Sequence, residues 1–214
     1  MHPARLTPLI GLISVACADT PEVRNDDLER ATTSAGESAL PAQPPASGTS
    51  HAAFLEALEA LCGLAFGGRV VESEPPDPSF EGHEIVMHVR QCLSDEIRIP
   101  FFVGENRSRT WVITPTETGL RLKHDHRHED GSQDDVTQYG GDTRGAGTSI
   151  SQDFYADAFT ADLVPAAANN VWTIEVDPGQ TFAYALRREG SDRRFRVEFD
   201  LTNPVDRPPP PWGS

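Results

Sequence analysis

Apolar and polar residues alternate along much of the chain after residue 68. In the last such segment, Phe195, Val197, Phe199 and Leu201 occupy every second position, and charged residues fill the positions between them. Because successive side chains of a strand point to opposite faces, this alternation is typical of strands with one buried face. Ten strands are predicted on this basis, at 68–73, 84–92, 96–103, 109–114, 119–128, 135–139, 148–155, 170–176, 181–187 and 194–201.

A single helix is predicted before the first strand. Its apolar stripe consists of Phe54, Leu55, Leu58, Leu61 and Cys62, which recur at the spacing of one helical face. The stripe indicates packing against a core, and we assign it no functional role.

Short turn sequences separate the predicted strands. Asp130-Gly131, Gly140-Gly141 and Glu189-Gly190 favour tight hairpins, and the Asp-Pro-Gly sequence at 177–179 favours a turn. Short strands joined in this way predict a mainly β fold, an antiparallel meander of about ten strands that closes into a barrel or forms a two-sheet sandwich. We expect one domain over residues 51–207, which includes the helix, and a Pro-rich tail at 208–214.

Residues 1–17 have the features of an export signal. Arg5 supplies a positive charge, residues 6–16 form a short apolar run, and small residues precede Cys17. The sequence SVAC at 14–17 is similar to the lipobox of bacterial lipoproteins, apart from Ser14, where that pattern prefers leucine. We therefore expect an exported cell-envelope protein that is lipidated at Cys17. A conventionally cleaved secreted protein and an uncleaved anchor are the alternatives.

Residues 18–50 are rich in alanine, proline, serine, threonine and acidic residues, with almost no large apolar side chain. Such a segment cannot bury enough apolar surface to offset the entropy lost on ordering, so a disordered tether is predicted. With a lipid on Cys17 it would hold the domain away from a membrane. Without one it would be a plain disordered N-terminus.

Cys62 and Cys92 are the two cysteines of the predicted domain. Cysteine pairs in exported domains are usually oxidised, so a Cys62–Cys92 disulfide is predicted, joining the helix to a strand. Two buried free thiols are the alternative. A cysteine-rich zinc site is not expected, because neither cysteine has a cysteine or histidine partner at zinc-finger spacing.

Acidic residues outnumber basic residues by 33 to 18, which gives a formal net charge of −15 at pH 7. An acidic surface repels phosphate backbones, so no nucleic-acid partner is expected. No stretch after the signal has the ~18 apolar residues that a membrane span requires, so the N-terminal lipid is the only membrane contact expected. We expect a monomer whose partner is a small molecule or a cation.

Three of the seven histidines lie in one predicted strand, at His124, His126 and His128. Their two-residue spacing places them on the same face as Leu120 and Leu122, so an apolar stripe becomes an imidazole stripe toward one end of the strand. This arrangement is expected at the mouth of a barrel or sandwich. It is the main candidate for a functional site.

A two-residue turn at Asp130-Gly131 would define the strand that pairs with the histidines. In that register His126 lies opposite Asp135, with Thr137 and Tyr139 on the same face. A three-residue loop would shift the register by one residue and remove this arrangement.

Several chemistries fit these side chains. Same-face neighbours in a strand are about 6.6 Å apart, so two histidines can share a metal ion but three hardly can. A divalent metal such as zinc would then be held by His124, His126 and Asp135, or by two histidines and one from elsewhere in the chain, such as His88. Contacts with a small polar ligand and His–Asp proton transfer are alternatives, as is a solvated hairpin without any ligand.

Arg107 and Arg109 share a face with Trp111 and are further candidate ligand-binding residues. Inward-facing guanidinium groups bind carboxylates or phosphates well, whereas outward-facing ones would only balance the acidic surface.

The segments IRIPFFVGENRSRTWVIT, LKHDHRHEDGSQDDVTQYGGDT and RRFRVEFDL, with the terminal PPPPWG, resemble a family of bacterial secreted proteins and lipoproteins without an assigned function. The resemblance spans about residues 62–213. It implies export and a single compact domain, and it implies no activity. The strand count is also similar to that of calycin-like barrels of the fatty-acid-binding and nitrobindin type, which is a likeness of architecture alone.

The sequence therefore predicts an exported envelope protein that binds a small ligand or a divalent cation at one end of a β-barrel. A metal-assisted or His–Asp hydrolase and a structural envelope protein without a small ligand are the alternatives. An enzyme would need a nucleophile or an activated water beside the histidines, and the sequence identifies neither.

Lipidation is testable with a radioactive fatty acid fed to cells that express the full-length chain. The protein is expected to become labelled, and Cys17→Ser is expected to abolish the label, because the thiol is the attachment point. Absence of label from the unmutated protein would contradict lipidation and leave simple secretion.

Overall fold

The computed structural model describes residues 47–214, in which eleven strands and two helices alternate with short connections. The helices are α1 (Ser47–Glu59) and α2 (Ala158–Leu163), and single 3-10 turns lie at Pro78–Phe80 and Pro165–Ala167. The strands are β1 (Ala65–Glu74), β2 (Ile85–His88), β3 (Gln91–Cys92), β4 (Ile97–Val103), β5 (Asn106–Pro115), β6 (Leu120–His126), β7 (Tyr139–Thr143), β8 (Ser151–Ala156), β9 (Asn170–Asp177), β10 (Thr181–Arg188) and β11 (Arg194–Val205).

The short strand β2 closes the sheet into a barrel. Its residues pair with β1 along one edge and with β4 along the other, while the remaining strands follow one another around the wall from β4 to β11 and back to β1. Every pairing is antiparallel, and β3 only extends the edge of β4. The predicted mainly β fold is confirmed, and of its two proposed forms the barrel is the correct one.

Helix α1 closes one end of the barrel. Phe54, Leu58 and Leu61 are buried in the main core together with the inward residues of the strands. The helix begins at Ser47, inside the stretch predicted as a tether. No helix within the described residues is long and apolar enough to cross a membrane. The predicted signal, the lipidation at Cys17 and most of the predicted tether lie outside the described residues.

The predicted disulfide is confirmed. Cys62 follows α1 and is bonded to Cys92 in β3, and the two Cα atoms are 6.2 Å apart. Backbone hydrogen bonds between Gly63 and Val89 and between Leu64 and Val89 reinforce the same junction. The helix that closes the barrel is therefore held covalently to the wall.

Strand β7 differs from its prediction, because it begins at Tyr139, where the predicted strand at 135–139 ends. Gly140 and Gly141 were expected to form a turn but lie within the strand. A Cβ atom at Gly140 would overlap the carbonyl of Leu122 in β6, and one at Gly141 would overlap the carbonyl of Tyr155 in β8. The two glycines thus permit close approach of three backbones rather than a reversal of the chain.

The C-terminal tail packs against the outer wall of the barrel. The backbone N–H of Trp212 donates to the carbonyl of Arg107 over 3.1 Å, and the Arg107 guanidinium donates to the carbonyl of Pro210 over 3.1 Å. The tail joins no strand, as expected of a Pro-rich sequence.

Removal of the disulfide is expected to destabilise the barrel. The bond closes a loop with a sequence separation of 30 residues, so the double variant Cys62→Ser/Cys92→Ser should lose about 3–4 kcal/mol of unfolding free energy. Urea denaturation at pH 7 measures this loss. Leu93→Ser is the control, because Leu93 is 56% exposed beside the bond and its replacement should cost within about 0.5 kcal/mol. Equal stability of the double variant and the control would contradict the prediction.

Candidate ligand-binding site

A cavity of about 150 Å³ lies at the end of the barrel opposite α1. His51 of α1 hydrogen-bonds to Gly145 in the β7–β8 turn, whereas the cavity is bordered by the β10–β11 connection and the segment before β2. Its lining residues are Asp77, Phe80, Phe101, Arg109, Thr110, Trp111, His124, His126, Tyr139, Tyr184, Leu186, Arg193 and Phe195. A larger hollow of about 450 Å³ lies on the outer wall near Gly67 and Glu198, but no buried, unpartnered polar side-chain atom of the described residues borders it.

Pairing of β5 with β6 places two residues of each strand side by side in the cavity. Arg109 lies opposite His126, and Trp111 lies opposite His124. Because directly opposed residues of antiparallel strands point to the same face, all four side chains face the barrel interior. Leu122, two residues before His124, continues this face into the apolar core.

A row of stacked aromatic rings forms one wall of the cavity. Trp111 stacks against both Phe101 and Tyr184. The ring centroids of Trp111 and Phe101 are 4.8 Å apart with an interplanar angle of 15°, and those of Trp111 and Tyr184 are 4.5 Å apart with an interplanar angle of 20°. Phe80, from the 3-10 turn before β2, packs against Phe101 and Phe195 near the mouth. These rings give the cavity a rigid and largely apolar wall.

His124 lies at the floor of the cavity, where both ring nitrogens have protein partners. Nδ1 is 3.1 Å from the carbonyl oxygen of Tyr139, which can only accept, so Nδ1 carries the hydrogen and donates it. Nε2 therefore accepts from the Tyr184 hydroxyl, 2.8 Å away. Burial lowers the pKa of His124 to about 3. This histidine is a neutral structural group.

His126 and Tyr139 present polar atoms nearer the mouth. A hydrogen bond of 3.2 Å joins His126 Nε2 and the Tyr139 hydroxyl. Burial lowers the pKa of His126, and the neighbouring Arg109 charge lowers it further. Burial raises the pKa of Tyr139 to about 12. At neutral pH the pair is uncharged and offers hydrogen bonds without a formal charge.

Arg109 is the unusual residue of the site. Its Nη1 is buried and has no hydrogen-bond partner within residues 47–214. Burial is the largest influence and lowers the pKa of its guanidinium, while Tyr139 and Asp77 have smaller effects that raise it. Because the reference pKa of arginine is so high, the group stays charged. The cavity thus contains a cation that the described part of the protein does not neutralise directly.

The structure brings together four of the eight predicted ligand-binding residues: Arg109, His124, His126 and Tyr139. His128 and Asp135 are exposed and do not line the cavity. Thr137 is buried, but its hydroxyl accepts from the backbone N–H of His126 over 2.8 Å and so supports the site from outside.

Arg107 is also separated from the cavity. The β4–β5 register shifts by one residue between the pair Phe101–Arg109 and the pair Val103–Asn106. This irregularity breaks the expected same-face relation with Arg109. The side chain instead binds the C-terminal tail at Pro210.

The expected register of the histidine hairpin is wrong because its turn is longer than two residues. His128 and Ser132 face each other across the loop Glu129-Asp130-Gly131, and Gly131 has φ +87°. This is the three-residue loop in which glycine takes the left-handed position. Further along, His124 pairs with Tyr139 rather than with Thr137, so Asp135 does not lie opposite His126.

The predicted zinc site is not supported. Across residues 47–214, no three histidine, cysteine, aspartate or glutamate side chains are grouped so that they could hold a metal ion. Both nitrogens of His124 are already engaged, and Asp135 lies in the exposed loop.

The lining residues that were not predicted from the sequence include Tyr184, Phe101, Asp77 and Arg193. The alternation of Phe182, Tyr184 and Leu186 identifies Tyr184 as inward-facing. Which inward residues meet His124, however, depends on the pairing of distant strands. Asp77 and Arg193 lie in connections, where strand periodicity carries no information.

Burial of neutral His124 makes folding stability depend on pH. The unfolded imidazole, with an ordinary pKa of 6.5, binds a proton that the folded one with a pKa of about 3 does not, so stability falls as pH falls below about 6.5. Between pH 7 and pH 5 this one group should remove about 2 kcal/mol from the free energy of unfolding. Urea denaturation at the two pH values measures the loss.

His124→Gln should reduce that pH dependence by the same ~2 kcal/mol, because glutamine does not titrate. His128→Gln is the matched control, since His128 is exposed on the same strand end, and it should leave the pH dependence unchanged. An unaltered pH dependence in His124→Gln would contradict the assigned neutral state.

No protein family, curated protein or solved structure matches the chain. The resemblance to bacterial secreted proteins and lipoproteins therefore stays a prediction.

Proposed function

We propose that this chain is an exported binding protein that holds a small organic ligand in the cavity at the open end of its barrel. The observation that carries the proposal is the combination, in one cavity, of a stacked aromatic wall with a few inward polar groups. Ligand sites are typically of this kind, with an apolar lining for affinity and few polar atoms for orientation.

The size of the cavity limits the ligand. A volume of about 150 Å³ equals that of an engineered protein cavity of about 150 Å³ that binds benzene. One ring with a short substituent fits inside. The half-buried positions of Leu186 and Arg193 leave a route from solvent, so a larger ligand would extend through the mouth.

Binding is favoured over catalysis by the state of the polar groups. His124 has both nitrogens engaged by protein atoms, and His126 is hydrogen-bonded to a tyrosine hydroxyl rather than to a carboxylate. Asp135, the expected partner for His–Asp proton transfer, is exposed and hydrogen-bonds to no histidine of the described chain. Neither a paired base nor an activated nucleophile supports the hydrolase alternative.

Export is part of the proposal because two independent features are compatible with it. The first 17 residues have the pattern of a signal ending in Cys17, and the domain contains the Cys62–Cys92 disulfide. Disulfides persist mainly in oxidising compartments. The proposed location is the cell envelope, with the barrel held there by the N-terminal lipid.

The proposal is tested by filling the cavity. Leu186 lines it and is only half-buried, so Leu186→Trp should place an indole in the cavity with little disturbance of the core. Phenol, benzamide and benzoate are titrated by calorimetry into the unmutated protein and the variant. We expect at least one probe to bind the unmutated protein at one site and to bind Leu186→Trp about tenfold more weakly or worse.

Leu93→Trp is the matched control, since it adds the same side chain at an exposed position in the β3–β4 turn. It should leave probe binding unchanged. Failure of all three probes to bind the unmutated protein, or equal binding by Leu186→Trp, would overturn the proposed function.

A further inference from the structure

We propose that the ligand is a small monoanion, a flat carboxylate whose oxygens pair with the guanidinium of Arg109. This inference rests on the proposed function, because it names the class of ligand for the same cavity. It is carried by the unpartnered Nη1 of Arg109, which is buried in the wall of the cavity.

The isolation of Arg109 contrasts with several other partly buried arginines of the barrel. Arg98 pairs with Asp125 at 2.6 Å, Arg196 with Glu175 at 2.7 Å, and Arg187 with Asp153 at 2.9 Å. The chain has 33 acidic residues for 18 basic ones, so potential partners are abundant. Within the described residues the Nη1 atom of Arg109 is nevertheless buried without a hydrogen-bond partner.

An unpaired charge in a buried position is costly, because it loses hydration without gaining a partner. A carboxylate entering the cavity would supply that partner, and a guanidinium can donate two parallel hydrogen bonds to it. The protein thus has an interior position prepared for an anion, although its net charge repels anions outside.

The charges around the cavity select a monoanion. Two arginines, Arg109 and Arg193, face one carboxylate, Asp77, so the lining has one net positive charge. His126 and Tyr139 add neutral hydrogen-bonding groups beside Arg109. A phosphate monoester carries about −1.5 to −2 charges at pH 7 and would be less well matched than a carboxylate.

The aromatic wall selects a flat ligand body. Trp111 lies two residues from Arg109 on the same strand face, and Phe195 lines the same cavity. A carboxylate held at Arg109 places the attached group against these rings. An aromatic or other cyclic monocarboxylate therefore satisfies the charge and the apolar wall together.

Calorimetric titration of the unmutated protein at pH 7 compares benzoate with benzamide, which has the same shape without the charge. Benzoate is expected to bind about tenfold more tightly or better, because a hydrogen bond to a charged group contributes more than a neutral one. Phenyl phosphate is expected to bind more weakly than benzoate. Equal affinities for benzoate and benzamide would overturn the inference, and tighter binding of phenyl phosphate would overturn its carboxylate assignment.

Arg109→Met should remove the preference for benzoate over benzamide, while Arg109→Lys should retain part of it, because lysine keeps the charge but not the two-pronged geometry. Arg69→Met is the matched control. It removes one positive charge from a side chain that is 76% exposed outside the cavity, and it should leave the preference intact. A preference that survives in Arg109→Met, or disappears in Arg69→Met, would contradict the role of Arg109.

Thermal unfolding without ligand separates a binding role from a structural one. Removal of a partly buried charge whose Nη1 has no partner should raise the Tm of Arg109→Met above that of the unmutated protein. A lower Tm would identify Arg109 as a structural residue and overturn the inference.

The two proposals fail in distinguishable ways. If phenol or benzamide binds as well as benzoate and Leu186→Trp blocks them, the binding function stands and the anion assignment fails. If no probe binds, charged or neutral, both proposals fail.

Discussion

The closed pairing of the sheet is the constraint on which the other features depend. Strand β2 has four residues, and they hydrogen-bond to β1 on one edge and β4 on the other. Closure assigns every strand position to the inside or the outside of the barrel. The interior is then filled by apolar side chains and α1 at one end, and the cavity lies where that filling stops at the other end.

The ligand-binding site lies where the filled interior of the barrel meets its unfilled end. Trp111 and His124 belong to the packed interior, and each is held by ring contacts or hydrogen bonds that leave it little freedom. Arg109 and His126 lie one step nearer the mouth on the same two strands, where protein partners become fewer. A rigid floor below and one unsatisfied guanidinium nitrogen above it are the conditions for a preorganised site.

Much of the fold could be predicted from the sequence, because periodicity and cysteine content are local information. The alternation in β11 and the Cys62–Cys92 bond correspond to the structure, as does the apolar stripe of α1 at Phe54, Leu55 and Leu58. The inward orientation of His124 and His126 also followed from two-residue spacing. The alternation, the stripe and the histidine spacing depend on residues that are close in sequence. The disulfide depends on the oxidising conditions expected for an exported domain.

The features that the sequence did not predict correctly depend on three-dimensional geometry, which a two-residue turn sequence does not determine. Asp130-Gly131 fits both a two-residue turn and the three-residue loop that forms, and the difference moves Asp135 away from His126. Gly140-Gly141 has the composition of a turn, but its role arises from two neighbouring strands. The contact of Tyr184 with His124 joins residues 60 positions apart, and only closure of the barrel brings them together.

Pairing of β1 with β11 also constrains the order in which the molecule can form. The first and last strands of the barrel are neighbours, with Ala65 opposite Val205 and Glu74 opposite Arg194. Until the final strand has been made, β1 has one edge without a partner and the interior stays open to water. Contacts between such distant segments form late and slowly, because the chain must first lose the entropy of a long loop. The helix–β3 junction spans a much shorter loop, so α1 can be anchored to the wall before the barrel is complete.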